Sequence, residues 1–334
     1  MAKTVRFSRN AANVFFHILT QCNLRCRHCY INPDQHGTQM LGIQTITDWL
    51  TLLSRRSPGA NLIFLGGEPT LHPDLPSAVR IARQLGYGSI TVDTNGYLFH
   101  DILNQLTPAE VDVFSFSLDG ASAATNDPIR GAGSFEVCTR GIHEAVAKGF
   151  KTSLIYTVSH LNLTELAAVP ALLAQLKIDH FFIQVIGLRG RSAGCPDKSS
   201  QMQVSHDEWQ QSVLPVARQV AAQGIPVTYP KVYLYADEVF ECAGRVADNY
   251  FIFPNGRVYR CPLCEDHPLH SLDFKQGQLI PMPPINETDL FQLEIPEGCV
   301  MNKLIQPGNI VYQPDGTPAF KIACCLLKEA LFPS

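Results

Sequence analysis

The stretch Cys22-Asn23-Leu24-Arg25-Cys26-Arg27-His28-Cys29 places three cysteines within eight residues. Three thiolates this close together in the chain cannot all face a core, and three ligands leave one position of a four-coordinate metal centre open. Iron–sulfur clusters are held by cysteine thiolates, and a missing fourth ligand leaves one iron free for an outside molecule. The spacing therefore indicates a reactive iron–sulfur cluster, with chance clustering or a three-cysteine zinc site as alternatives.

The composition is that of a globular protein with a sizeable core. The chain has 334 residues, of which 46% are hydrophobic and 17% are charged, enough for one large or two modest domains. The formal net charge is -4. Such a chain has no basic field for nucleic acid, so we expect no nucleic-acid partner.

The sequence also carries information about location. No apolar run approaches the roughly 18 residues of a membrane helix, and the first residues lack the apolar core of a signal peptide. We therefore expect a cytoplasmic protein without a membrane partner. In a reducing compartment, 11 cysteines indicate metal binding or catalysis rather than disulfides, and oxygen sensitivity follows.

Predicted strands and helices alternate along most of the chain. The first strand, 14–20, ends at the cysteine loop, and further strands are predicted at 61–65, 89–94, 113–118, 151–158 and 180–186. Helices are predicted at 43–56, 75–85, 134–148, 163–176 and 205–222. Alternation of this kind predicts an α/β fold with a parallel sheet, here a partial (β/α)6 TIM-like barrel over residues 1–230, open on one side. Residues 231–334 are expected to form a small Cys-rich C-terminal α+β domain.

Glycine, acidic and amide residues follow the predicted strands. They include Gly66-Gly67-Glu68-Pro69, Thr94-Asn95-Gly96 and Ser117-Leu118-Asp119-Gly120. Each alone is typical of an ordinary turn, because glycine permits positive φ and proline fixes the exit. In βα barrels, however, reactive groups lie where strands end, so together these residues predict one site.

The order of these motifs resembles that of the radical S-adenosylmethionine (SAM) superfamily, whose cluster loop has CxxxCxxC spacing with an aromatic ring before the last cysteine. The resemblance implies a [4Fe–4S] cluster on Cys22, Cys26 and Cys29 as the catalytic centre. It also implies cleavage of SAM to methionine and a 5′-deoxyadenosyl radical, which removes a hydrogen from a substrate carbon. An electron donor such as flavodoxin or ferredoxin would be needed.

The resemblance assigns further residues to SAM. The Gly66-Gly67-Glu68-Pro69 segment corresponds to the motif that engages the methionyl ammonium, and His28 corresponds to the ring beside the adenine. The later strand ends would line the ribose and carboxylate through Thr94, Asn95, Ser117 and Asp119. Arg130 lies in a segment similar to the family's RGxGSF run and is a possible carboxylate or substrate contact, although a surface residue before a helix capped by Ser134 is the ordinary interpretation.

Other residues remain unranked or ambiguous. Tyr156, Gln184 and Arg189 are additional candidates for contact with SAM or substrate. Cys138, on a predicted helix, is expected to be a small core residue. Cys195 is either a hydrogen donor or an exposed thiol.

A second cysteine-rich region begins at residue 242. Gly256-x4-Cys261 after Cys242 is similar to the SPASM and twitch extensions, which hold auxiliary [4Fe–4S] clusters, although the full CxxCx5Cx3C run is absent. We expect one auxiliary cluster on Cys242, Cys261 and Cys264, with a fourth ligand from Cys299, Cys324 or Cys325. Zinc is the alternative, because CxxC is equally a zinc spacing.

Three functions follow in order of preference. The first is crosslinking, epimerisation or oxidation of a ribosomally made peptide or protein. The second is oxidation or rearrangement of a small molecule in cofactor, sugar or antibiotic biosynthesis, and the third is a non-catalytic Fe–S or zinc protein. About a dozen residues precede the first predicted strand, so we expect peptide capture by the barrel mouth or by a separate protein.

Overall fold

The computed structural model describes residues 3–193, 202–235 and 237–333. Its centre is a sheet in which six parallel strands follow one another in chain order, separated by helices. The predicted α/β fold with a partial barrel of βα units is thereby confirmed. The first strand ends at His17 rather than at residue 20, because Leu19 leaves the parallel ladder and forms an antiparallel bridge with Met40.

The strands of the described residues, in chain order, are β1 (Ala12–His17), β2 (Asn61–Leu65), β3 (Ser89–Thr94), β4 (Val113–Ser117), β5 (Thr152–Val158), β6 (His180–Val185), β7 (Val227–Pro230), β8 (Tyr233–Leu234), β9 (Asp248–Ile252), β10 (Arg257–Tyr259), β11 (Leu272–Lys275), β12 (Gln278–Pro281), β13 (Lys321–Ile322) and β14 (Lys328–Leu331).

The α-helices of the same residues are α1 (Pro33–His36), α2 (Ile43–Arg56), α3 (Leu75–Gln84), α4 (Ile102–Gln105), α5 (Ala123–Arg130), α6 (Ser134–Ala147), α7 (Val169–Leu176), α8 (His206–Glu208), α9 (Leu214–Ala222), α10 (Ala243–Val246), α11 (Glu287–Leu290) and α12 (Val300–Ile305). A π-helical turn, Trp209–Val213, joins α8 to α9. Within the described ranges, no helix is both long and apolar enough to cross a membrane.

The C-terminal region extends the sheet at both sides of the barrel strands. Strand β9 pairs parallel to β1, and β14 pairs antiparallel to β7, which itself lies parallel to β6. The resulting order is β12-β11-β10-β9-β1-β2-β3-β4-β5-β6-β7-β14. Our sequence analysis missed β7, a four-residue strand that ends in a proline. Strands β9 to β12 and β14 therefore extend the barrel sheet, whereas β8 and β13 pair with each other in a separate two-stranded sheet.

The main core lies between the sheet and the helices outside it. In α2, Ile46, Leu50 and Leu53 are fully buried, as their helical spacing predicts. The outer edge of the same helix packs against the C-terminal region, because Trp49 stacks on Phe274 of β11 with ring centroids 4.2 Å apart. This contact joins the barrel to the strands that extend it.

A polar ladder crosses four neighbouring strands near their amino ends. The Asn13 amide donates to Asn249 Oδ1 over 2.8 Å and accepts from Asn61 Nδ2 over 3.0 Å. Ser89 Oγ in turn donates to Asn61 Oδ1 over 2.9 Å. Because side chains on adjacent strands meet only in one register, this ladder fixes β9, β1, β2 and β3 relative to one another.

Replacing the centre of the ladder should therefore destabilise the whole sheet. Asn13→Ala leaves buried groups of Asn61 and Asn249 without their partners, and we expect the free energy of unfolding to fall by about 3 kcal/mol. Anaerobic chemical denaturation measures the change. The control, Asn104→Ala, removes an exposed amide and should stay within about 0.5 kcal/mol of wild type. Equal losses in the two variants would show that the ladder contributes nothing specific.

Candidate active site

The cysteine loop between β1 and α1 takes its backbone hydrogen bonds from the loop that follows β2. Gly67 N donates to Leu19 O over 3.1 Å, and Glu68 N donates to Gln21 O over 2.9 Å. A Cβ on Gly67 would lie 2.1 Å from Gln21 O. Only glycine therefore fits at position 67, because the loop after β2 crosses the backbone of the cysteine loop there, directly before Cys22.

The loop that follows β6 supports the other end of the cysteine loop. Arg191 N donates to Cys29 O over 2.9 Å. Gly190 has φ +56°, and a Cβ there would lie 2.4 Å from Cys29 O and 2.7 Å from Tyr30 O. The end of α5 adds a third support, since its Ile129 carbonyl accepts from Arg27 N over 2.8 Å. Three separate loops thus determine where the thiols lie.

The thiols of Cys22, Cys26 and Cys29 face a cavity of about 320 Å³ in the barrel. None of them forms a disulfide. Two N–H groups point at the Cys22 sulfur, Leu24 N at 3.4 Å and Asn95 Nδ2 at 3.7 Å, and such donors stabilise thiolate ligands. Three free thiols on one cavity fit a [4Fe–4S] cluster with an open iron.

All but one of the residues predicted to contact SAM line this same cavity. They come from the cysteine loop, from the loops after β2 and β3, from the end of β4 and from the end of α5: His28, Gly66, Gly67, Glu68, Pro69, Thr94, Asn95, Ser117 and Arg130. The exception is Asp119, which is fully buried. Because these residues follow the carboxyl ends of parallel strands, the fold brings them together although they lie far apart in the chain.

Asp119 positions two other residues of the cavity. Its Oδ2 accepts from Arg130 Nε over 2.6 Å and lies 3.2 Å from His28 Nε2, while Oδ1 accepts from Thr157 N over 2.8 Å. With both oxygens engaged, the carboxylate compensates the buried Arg130 guanidinium and orients the His28 ring. Nothing in the sequence distinguishes this role from a direct ligand contact, because it depends on how α5 returns to the end of β4.

Glu68 is held by several protein donors. Its Oε1 accepts from Thr70 N, Thr70 Oγ1 and Thr94 Oγ1 over 3.1, 2.6 and 2.9 Å, and its Oε2 accepts from Asn95 N over 2.7 Å. Burial raises the pKa of this carboxyl, and these donors oppose the rise. Glu68 therefore joins the ends of β2 and β3, while its contact with SAM stays a prediction.

Of the three candidates that the sequence analysis left unranked, two line the cavity and one lies in the core. Gln184 and Arg189 line the cavity, whereas Tyr156 is a core residue whose hydroxyl donates to Asn162 O over 2.9 Å. Cys138 is also buried in the core, as predicted, directly against Gly96. Cys195 lies outside the described residues.

Our sequence analysis missed several charged and aromatic residues of the cavity. Asp93 on β3 faces it, and burial raises the pKa of its carboxyl to about 7. Glu265 and Tyr30 were also missed. Glu265 forms an ion pair with the candidate Arg189, and the centroid of the Tyr30 ring lies 4.7 Å from the Arg189 guanidinium. Lys328 on β14 also faces the cavity. The alternation of β3 places Asp93 inward, but no local signal identifies Lys328 or Glu265.

The C-terminal cysteines gather at a second, smaller cavity. Its lining includes five of them, Cys242, Cys261, Cys299, Cys324 and Cys325. The thiols of Cys242 and Cys324 contact each other, as do those of Cys261 and Cys264. Cys264 lies beside this cavity rather than in its lining, and its buried thiol contacts the Glu287 carboxylate.

Both cysteine groups consist of free thiols. The ten described cysteines form no disulfide with one another. Within the described ranges, no three His, Cys, Asp or Glu side chains are close enough to surround a single metal ion. Five thiols around one small cavity nevertheless supply more than the four ligands that a cluster takes.

Comparison with known proteins gives a family and several relatives. The sequence model of the radical SAM superfamily matches residues 17–172. Fe-coproporphyrin III synthase of Methanosarcina barkeri is 30% identical over 252 residues, 70% of this chain and 60% of that protein. A probable GTP 3′,8-cyclase of Saccharolobus solfataricus is 32% identical over 162 residues, 48% of this chain and 52% of that protein. The chain thus spans less than two thirds of either relative.

Solved structures share the fold at low identity. Streptococcus suis SuiB bound to precursor peptide SuiA has a TM-score of 0.64 and 12% identity, covering 86% of this chain and 65% of SuiB. The anSMEcpe protein with bound AdoMet has a TM-score of 0.59 and 11% identity, covering 91% of this chain and 85% of that one.

Glycine substitutions test the support of the cysteine loop. Gly67→Ala and Gly190→Ala force a methyl group into the backbone of that loop, so we expect both variants to lose most of the iron bound there after anaerobic reconstitution. Gly42→Ala is the matched control, because its Cβ would meet nothing within 4 Å. Iron content per folded chain is the measurement. Wild-type iron in Gly67→Ala would contradict the close crossing.

Proposed function

We propose, since this chain belongs to the radical SAM superfamily, that its main cavity binds SAM beside a [4Fe–4S] cluster on Cys22, Cys26 and Cys29 and modifies a carbon of a ribosomally made peptide or protein. The observation that carries the site assignment is that the three thiols and nearly all predicted SAM contacts line the same cavity. The superfamily implies both cofactors. A reducing, cytoplasmic location would suit the eleven cysteines.

The residues of the chain bind and orient the cofactor. Gly66 and Gly67 let the backbone approach the ligand, and Asn95 and Ser117 offer polar atoms at the same strand ends. Arg130, kept charged by Asp119, is the cation available for a carboxylate. The cluster and SAM together supply, when bound, the one-electron cleavage that produces a hydrogen-abstracting carbon radical.

The size of the cavity restricts what is modified. About 320 Å³, which SAM and the substrate would share, is at the lower end of small-molecule sites, so we infer that the cavity admits one substrate side chain rather than a folded segment. SuiB, whose structure contains a precursor peptide, shares the fold. We therefore rank crosslinking, epimerisation or oxidation of a single peptide residue first.

Small-molecule chemistry is the second candidate. Its support is that the aligned relatives are named as a porphyrin synthase and a probable GTP cyclase. Turnover with candidate substrates that carry deuterium on carbon distinguishes the two, because mass spectrometry of the 5′-deoxyadenosine formed shows whether the deuterium came from a peptide or from a metabolite.

The cysteines of the smaller cavity would hold an auxiliary [4Fe–4S] cluster. We infer ligation by Cys242, Cys261, Cys299 and Cys324, all of which line that cavity. Cys264, predicted as a ligand from its CxxC spacing, contacts both the Cys261 thiol and the Glu287 carboxylate, and its ligand role stays a prediction. Cys299 and Cys325 line both cavities, which supports an auxiliary centre next to the substrate, in a position to accept an electron from it. A flavodoxin or ferredoxin would reduce the first cluster.

Removing a single thiol of the cysteine loop tests the enzyme assignment. Cys22→Ala, Cys26→Ala and Cys29→Ala each remove one of only three ligands, so each should abolish 5′-deoxyadenosine formation with SAM and reductant. Cys138→Ala, which removes a thiol of the core, should retain it. Product formation in any loop variant would refute the site, and its absence in the wild type would favour a non-catalytic protein.

Metal counting tests the two-cluster arrangement. We expect about eight irons per chain after anaerobic reconstitution and about four in the Cys22/Cys26/Cys29→Ala triple variant. In that triple background, Cys324→Ala should remove the remaining iron while Cys264→Ala retains it. If Cys264→Ala loses the remaining iron instead, Cys264 is a ligand of the auxiliary cluster, as its CxxC spacing predicts. One zinc and no iron in the triple variant would make the C-terminal region a structural zinc module.

A further inference from the structure

The main cavity has a second end that the predicted SAM residues do not occupy. Those residues follow β2, β3 and β4 or belong to the cysteine loop and α5, whereas other lining residues belong to β1, β6, β9, β14 and the N-terminal segment. Phe7, Phe15 and Phe251 supply apolar surface there, and Gln184 and Lys328 supply polar atoms. This end is left for the substrate.

The Lys328 ammonium is held in a defined position at that end. Its Nζ donates to Gln184 Oε1 over 2.6 Å and lies 4.0 Å from the centroid of the Phe7 ring. Its backbone N donates to Phe7 O over 2.9 Å, which ties the start of β14 to the same segment. An ammonium has three N–H donors. One donor is therefore used by Gln184, one side is covered by the ring, and donor capacity remains toward the cavity.

The other cations of the cavity are paired. Arg130 pairs with Asp119 and Arg189 pairs with Glu265. For Lys328, the described part of the chain offers no carboxylate oxygen within 4.0 Å of Nζ. Asp93, which lines the same cavity, attracts the ammonium from a greater distance and forms no ion pair with it. Desolvated charges are costly unless they are paired, so an anionic group entering this end would gain more here than elsewhere in the cavity.

Gln184 adds a second donor beside the ammonium. Because its Oε1 accepts from Lys328, its Nε2 group is directed elsewhere, and it donates to no acceptor within the described residues. An ammonium and an amide N–H side by side match the two oxygens of a carboxylate.

We propose that Lys328 and Gln184 form a subsite that binds a carboxylate of the substrate at the end of the cavity away from SAM. This inference rests on the proposed function and narrows its substrate class. The modified residue or molecule carries an anionic oxygen group, which anchors it while the adjacent carbon faces the SAM end. The aromatic walls around Phe7 then exclude water from the anchored group, which strengthens the charge pairing.

Chemical modification of the full, anaerobically reconstituted chain tests the subsite without turnover. Cyanate carbamylates neutral amines. Burial lowers the pKa of Lys328 to about 7, against the opposing effect of Cys325 and Asp93, so at pH 7 part of this amine is neutral and reacts when the cavity is empty. A bound carboxylate favours the ammonium form and slows the reaction. Peptide mass spectrometry measures the rate at each lysine. Lys275, whose side chain is 59% exposed, serves as the internal reference.

Three small molecules test which chemical class of ligand the subsite binds. Succinate at ten times its dissociation constant should slow carbamylation of Lys328 about tenfold without affecting Lys275, whereas uncharged succinamide should not protect. Gln184→Leu should remove most of the protection, and Gln223→Leu, at an exposed glutamine, should leave it intact. Inorganic phosphate is the third probe, because a phosphate group presents the same anionic oxygens.

The outcomes are distinct. Protection by succinate that depends on Gln184 supports the carboxylate subsite. Protection by phosphate alone, equal protection by succinamide, or none at all overturns it. Since 5′-deoxyadenosine formation is measured separately on the same preparation, loss of the subsite with SAM cleavage intact refutes only this inference, and loss of SAM cleavage refutes the proposed function.

Discussion

The close backbone contact between the cysteine loop and three other loops is the constraint on which the rest of the site depends. The loop forms no strand or regular helix around its cysteines, so its polar backbone groups need partners from elsewhere. The loops after β2 and β6 and the end of α5 supply them. Because Gly67 and Gly190 allow approach within contact distance, the positions of the thiols are set by the barrel and not by the loop itself.

The cavity keeps its charges in pairs where the protein can provide a partner. Asp119 compensates Arg130 and orients His28, and Glu265 compensates Arg189. Burial would otherwise make each of these groups costly. Lys328, whose Nζ lies beside Gln184 and the Phe7 ring, forms no such pair among the described residues, and that difference is the basis of the proposed carboxylate subsite.

The continuous sheet explains why the two cysteine groups lie near one another. Strand β9 joins β1 and strand β14 joins β7, so the C-terminal region is hydrogen-bonded to both sides of the barrel strands. The segment leading into β14 carries Cys324 and Cys325 past the cavity before Lys328 enters the sheet. One stretch of chain therefore supplies two of the five thiols that line the smaller cavity and a cation of the larger one.

Local sequence patterns were enough to predict the parallel βα order and to bring most of the residues assigned to SAM to one cavity, because strand periodicity is local and the carboxyl ends of parallel strands meet at one edge. The CxxxCxxC spacing and Gly66-Gly67-Glu68 could be recognised in the sequence because each motif is a short run of neighbouring residues. Only the tertiary structure decided that Asp119 supports Arg130, that Cys264 faces Glu287 and that Lys328 reaches the cavity. Each of these depends on the register and direction of elements distant in the chain, which no local pattern encodes.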